Sequence, residues 1–159
     1  DDISQILHSI KVIDTQGNPK EILAKDIKFS YRNSNLEENL LITSVKLTGK
    51  HSTKKKIKGK QQAMVDRKKK TQPSQIKTCG STFKNTKNKK AWELIKESNC
   101  ENFKVGNAKI SEKHCNFFVN NGNTTSKDLE ELINKVKETV YQKTKINLKL
   151  EIKIIGYNK

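Results

Sequence analysis

Polar and apolar residues alternate over residues 9–14, Ser-Ile-Lys-Val-Ile-Asp, the period of a strand with one buried face. Gln16-Gly17-Asn18-Pro19 is turn chemistry, and residues 20–23 can return as a second strand. Residues 40–47 are rich in β-branched and aliphatic side chains and predict a third. Such a sheet is antiparallel and small, with too little apolar surface to be more than marginal alone. Residues 54–70 are mostly basic and predict a solvated helix that connects two lobes, with Ile57, Met64 and Val65 as a thin packing stripe. Gly59 weakens that helix and Pro73 ends it. A short helix follows at residues 91–95, where Trp92 and Ile95 stand at i, i+3. The clearest helix covers residues 126–143, with Leu129, Leu132, Ile133, Val136 and Val140 on one face. Thr124-Thr125-Ser126 supplies its N-cap, and Asp128, Glu130 and Glu131 suit its positive end. Residues 148–154 alternate strictly and predict a last strand, with Glu151 and Lys153 on its polar face. The class is α+β: strands over residues 1–49, a basic connector over 50–71, and a C-terminal lobe over 72–159.

Charge changes this picture less than its size suggests. The chain has 33 Lys and Arg against 17 Asp and Glu, a net charge of +16, which invites a nucleic-acid reading. The excess is almost all lysine, travels with asparagine and is spread over every segment, as a coding bias would spread it. An anionic small substrate is the more economical partner, and nucleic acid is not expected. Three cysteines without a CxxC argue against a disulfide framework or a zinc site, and no metal is expected. Free thiols suit a reducing cytoplasm. Nothing approaches a membrane span, and the N-terminal residues do not read as a signal peptide.

Four places carry candidate chemistry. Ser81 follows Gly80 in a run, residues 78–85, without a strand or helix pattern of its own. It lacks a G-x-S-x-G setting, so a hydrolase nucleophile has little support, and its plain reading is a turn serine bonded to its own backbone. Arg32 after Tyr31 reads plainly as an amphipathic strand end, but its guanidinium fork also fits a carboxylate. Glu151 reads as a surface carboxylate and His114 as an ordinary core or surface histidine. Cys79 stands near Ser81, and nothing local marks it as a nucleophile.

Tyr31-Arg32-Asn33-Ser34, residues 78–85, residues 106–117 and residues 150–156 together resemble UDP-N-acetylenolpyruvoylglucosamine reductase, in the family's order and approximate spacing. That family is the flavoenzyme of bacterial peptidoglycan synthesis that makes UDP-N-acetylmuramate. The resemblance covers nearly the whole chain but only the C-terminal half of the family's enzyme. It implies that residues 1–49 are a remnant of the FAD-binding domain and residues 72–159 the substrate-binding domain. It makes Ser81 the proton donor, Glu151 the active-site glutamate beside the enolpyruvyl carboxylate, and Arg32 the group that binds that carboxylate. Tyr31, Lys84, Asn85, His114 and Lys153 are then substrate-binding, with His114 near the diphosphate. Thr86 stands where the family usually has proline, and Lys153 where many relatives carry arginine, so charge is kept there but the fork is lost. The seven glycines are scattered with no G-x-G, so a flavin diphosphate loop is missing. FAD, reduced by NADPH, is therefore implied mostly outside this chain. The expected partners are UDP-N-acetylglucosamine enolpyruvate and the N-terminal flavin half. A bacterial cytoplasmic monomer, incompetent alone, is expected. The alternative is a basic module that uses residues 54–70 on nucleic acid or an anionic surface.

Overall fold

The computed structural model describes residues 2–156. Contacts divide the chain inside the basic helix into two compact units, Asp1–Ile57 and Lys58–Lys159.

In the first unit, β1 (Leu7–Ile13) lies between β2 (Pro19–Leu23) and a later strand, both antiparallel to it. The β1–β2 turn is held by Asp14, whose Oδ1 accepts the N–H groups of Gln16 and Asn18, each at 2.9 Å. A two-stranded hairpin follows, β3 (Phe29–Ser30) and β4 (Asn33–Ser34), and then the third strand of the sheet, β5 (Leu41–Leu47). The strands agree with the alternation in the sequence. Their apolar core is thin: among the described residues its buried side chains are Ile10, Val12 and Ile27, with Leu7, Ile22, Leu36 and Leu40 packed partly against them.

Helix α1 (Lys54–Thr71) stops just before Gln72-Pro73, because a residue preceding proline is pushed out of the helical region. The expected packing stripe does not form: Ile57, Met64 and Val65 are 53%, 71% and 40% exposed. Lysines surround the helix and leave it no apolar face wide enough to bury. Limited trypsin digestion is therefore expected to cut first between residues 50 and 70 and to spare residues 126–144. Early loss of that C-terminal helix, followed by mass spectrometry, would contradict this arrangement.

The second unit has an antiparallel sheet in the order β6 (Lys77–Ser81), β9 (His114–Asn120), β8 (Ala108–Ser111), β7 (Lys104–Val105). Two helices, α2 (Ala91–Glu97) and α3 (Ser126–Thr144), contribute to its core. The α3 face is the one its periodicity gives: Leu132, Ile133, Val136 and Val140 are buried and Leu129 partly so. Thr125 caps it reciprocally, its Oγ1 accepting the Asp128 N–H at 3.1 Å while Asp128 accepts the Thr125 N–H at 3.0 Å. On α2 the core side chains are Ala91, Leu94 and Ile95, whereas Trp92 is only partly buried.

Two segments depart from the sequence expectation. The start of the run 78–85, read as patternless, lies in β6, because its order comes from pairing with β9 rather than from any alternation of its own. Residues 148–154 make no ladder: a single antiparallel bridge joins Leu150 to Phe83. The segment they meet leaves after Lys84 for a turn in which Thr86 and Lys89 bond, so pairing has nowhere to propagate.

Candidate functional site

Ser81 is the last residue of β6, opposite Phe117 of β9, and is partly buried. The strand is irregular between Thr78 and Ser81, where Gly80 takes φ +84°. Only glycine adopts that conformation without strain. The glycine before Ser81 thus serves the bulge that ends the strand. Beyond it the backbone is gripped from both sides. On one side is Asn116, itself buried: its Oδ1 accepts the Phe83 N–H at 3.0 Å and its Nδ2 donates to the Phe83 carbonyl at 2.9 Å. The Asn116 carbonyl also takes the Thr82 N–H at 2.8 Å. On the other side, the Glu151 N–H donates to the Thr82 carbonyl at 2.9 Å, and the Lys84 N–H to the Lys149 carbonyl at 2.8 Å. Glu151, partly buried, therefore lies across from the residue that follows Ser81.

The remaining candidates spread from this point. Lys84 and Asn85 continue the gripped segment, and the Asn85 Oδ1 accepts the Ala91 N–H at 3.0 Å, which anchors the start of α2. Lys153 is exposed two residues beyond Glu151. His114 opens β9, edge-on to Phe117 with ring centroids 4.8 Å apart, and its Nδ1 accepts the Asn116 N–H at 3.3 Å. That contact places the proton of the neutral ring on Nε2. Tyr31 and Arg32 belong to the first unit. They form the two-residue turn of the β3–β4 hairpin, with Arg32 at φ +57° and its guanidinium 5.3 Å from the centre of the Tyr31 ring.

His114 also opens onto a cleft of about 790 Å³ that the sequence did not disclose. Its cations are Arg67, Lys70, Lys90, Lys96 and Lys113, with Trp92 and Cys115 on the wall and Glu101 and Glu112 as its only anions. The Lys113 Nζ donates to the Lys69 carbonyl at 3.0 Å, satisfying one of the last carbonyls of α1. Cys115 is held by its Sγ donating to the Trp92 carbonyl at 3.1 Å, and burial pushes its thiol up, away from the thiolate. Asn116 falls within the resembling run of residues 106–117, but nothing there marks its grip on Phe83, and the cleft cations carry no motif in a chain with 33 Lys and Arg.

Burial lowers the pKa of His114. The unfolded chain, with an ordinary histidine near pH ~6.5, then binds the proton first as pH falls. Stability is expected to be fully present above that pH and to be lost as pH drops through the interval between the unfolded and folded values. His114→Gln should flatten the melting temperature between about pH 7 and pH 5. A parental pH profile in that variant would remove His114 from the cause.

The second unit is an α+β domain in which Ser81 ends β6 and Glu151 is bonded through its backbone to the residue that follows. The sequence pattern described as UDP-N-acetylenolpyruvoylglucosamine reductase, C-terminal domain, matches residues 72–155, and the chain belongs to that family. It is 39% identical over 156 residues to the reductase of that name from Wolbachia pipientis wMel, covering 98% of this chain and 53% of that one. With the Pelagibacter ubique protein of the same name it is 41% identical over 157 residues, 97% of this chain and 52% of that one. The crystal structure of the reductase from Thermus caldophilus superposes with a TM-score of 0.81 at 33% identity, over 94% of this chain and 53% of that one. The chain thus spans about half the length of the relatives it matches. Among the described residues no helix is long and apolar enough to cross a membrane.

Proposed function

We propose that this chain supplies the substrate-binding part of a UDP-N-acetylenolpyruvoylglucosamine reductase. The observation that carries the reading is the double grip on residues 82–84, which fixes Ser81 at the end of β6 one residue from the bond to Glu151. In this reading residues 1–49 belong to the cofactor lobe, residues 50–71 connect, and residues 72–159 hold the substrate. Ser81 delivers a proton to C2 of the enolpyruvyl group as hydride reaches C3. A serine is a weak acid, so its alkoxide needs a cationic setting, which the neighbouring Lys84 supports. Glu151 stabilises the enol-like charge, and Arg32 grips the carboxylate through its fork. Tyr31, Asn85 and Lys153 complete the surroundings of the substrate, and His114 donates through Nε2 toward the diphosphate in the cationic cleft. The reaction belongs to peptidoglycan synthesis in a bacterial cytoplasm, with UDP-N-acetylglucosamine enolpyruvate as substrate.

FAD and NADPH are implied for the complete enzyme, but the described residues do not fit a flavin diphosphate. A phosphate cradle needs glycines that let backbone N–H groups converge on the ligand. Gly106 is the one glycine with a side chain packed close against it, and that side chain is the Asp128 carboxylate, which repels phosphate. The purified chain is therefore expected to be colourless, and a stoichiometric flavin spectrum would contradict this. The proposal itself is tested by titrating UDP-N-acetylglucosamine into the chain in a calorimeter. Binding should weaken with salt and fall by about tenfold or more in Arg67→Ala and Lys70→Ala. Heat that is absent, or unaffected by both substitutions, would overturn the placement of the diphosphate. The exposed cations of α1 favour a second reading, polyanion binding, which single-stranded DNA bound more tightly than the UDP-sugar would support.

A further inference from the structure

A smaller cavity of about 220 Å³ lies in the second unit, and no step of the proposed reaction uses it. Its walls are Thr82 just past β6, Phe118 of β9, Leu129 and Ile133 of α3, and Ile152. The lining runs from Lys77 to Ile152, so the domain matched over residues 72–155 builds the cavity by itself. Register tells which side of the sheet it occupies. Ser81 pairs directly with Phe117 and Lys77 with Asn120, and directly paired side chains share a face. Phe118 and Asn120 stand on the face of β9 opposite to that of Phe117. The cavity therefore lies behind Ser81, on the side of the sheet where α3 packs.

The interior is apolar because the polar neighbours are bonded locally. The Thr78 Oγ1 accepts the Gly80 N–H at 3.3 Å, and the Asn120 Oδ1 accepts the Gly122 N–H at 2.7 Å. Leu129 and Ile133, one helical turn apart, present one apolar wall. Phe118 is a fixed wall, held edge-on to Phe83 with ring centroids 5.9 Å apart. An apolar cavity of about 150 Å³ already stays dry and takes a benzene ring, so this one has room for a bicyclic ring. Its one charged lining residue is Lys77, which is exposed. No carboxylate lines it, so the complementary ligand is an anion with an apolar body.

We propose that this cavity is a binding site, apart from the UDP-sugar cleft, for a small aromatic carboxylate whose ring enters between β6, β9 and α3 and whose carboxylate meets the Lys77 ammonium. A flat rigid ring suits it, because few torsions are frozen on binding. The occupant bears on the segment that fixes Ser81, since the backbone of Thr82 bonds to both Asn116 and Glu151. The site does not depend on the substrate reading, and either can fail alone.

The test titrates indole-3-carboxylate, with neutral indole beside it, into the full chain labelled at backbone amides and at isoleucine and leucine methyls. The expected result is saturable shifts at the Leu129, Ile133 and Ile152 methyls and the Thr82 amide, with a dissociation constant of about 1 mM or tighter. Saturating UDP-N-acetylglucosamine should leave these shifts in place. Leu129→Phe fills the cavity and should weaken both probes by about tenfold or more. Should that variant not fold, Ile152→Phe makes the same filling from the opposite wall. Lys77→Gln should weaken the carboxylate about threefold and leave indole unchanged. Shifts confined to the lysines of α1, displacement by the UDP-sugar, undiminished binding in a folded cavity-filling variant, or a carboxylate indifferent to Lys77→Gln would each overturn the proposal.

Discussion

In an enzyme completed with the rest of the relatives' length, Ser81→Ala is expected to slow the reaction with the enolpyruvyl substrate by roughly 10²-fold or more, about 3 kcal/mol of barrier. The reaction with NADPH, which needs no proton from this serine, should stay near the parental rate. The two half-reactions are followed separately by stopped-flow absorbance. The expectation rests on position. Ser81 sits where β6 ends in a bulge, and the backbone after it cannot drift because Asn116 and residues 149–151 hold it from both sides. A fixed donor is what general-acid catalysis requires. Glu151→Gln should slow the same half-reaction, since it keeps shape and removes acidity. Arg32→Lys should weaken substrate binding, because a point charge replaces a bidentate fork. A Ser81→Ala enzyme that turns over at the parental rate would leave the serine as a turn residue.

The second large effect is on stability. Asn116→Ala removes the acceptor of the Phe83 N–H and the donor to its carbonyl, and Phe83 is fully buried. Each orphaned buried group costs about 1–3 kcal/mol, so the pair should cost on the order of 2–5 kcal/mol. In a unit of this size that is a fall in melting temperature of about 10 °C or more. Scanning calorimetry measures it. A loss below ~1 kcal/mol would mean that the bonds to Lys149 and Glu151 hold the segment without Asn116.

What could be read from the sequence divides along physical lines. Helix α3 was legible because its burial is one-sided, and one-sided burial writes a period into the chain. Strand β1 was legible for the same reason. Strand β9 was not, because Asn116-Phe117-Phe118-Val119 is buried on both faces and a continuous run carries no period. Residues 148–154 had the right alternation and no partner to complete a ladder, since alternation records burial and not pairing. The site followed the same rule. Ser81, Glu151, Arg32 and His114 stand in motifs that a family resemblance can point to. Asn116 also falls in the resembling run of residues 106–117, but its grip on Phe83, like the place of Arg67 and Lys70 in the cleft, comes from where the fold puts them, which no local pattern states.

The central claim is that this chain carries the substrate site, and the most direct test maps that site residue by residue. UDP-N-acetylglucosamine enolpyruvate is titrated into the isotopically labelled chain while backbone amide resonances are recorded. The account predicts shifts concentrated at Ser81, Lys84, Asn85, His114, Glu151 and Lys153, extending to Arg67 and Lys70 at the end of α1. Shifts confined to the first turns of α1 around Lys54–Lys58, or no shifts at millimolar substrate, would contradict it.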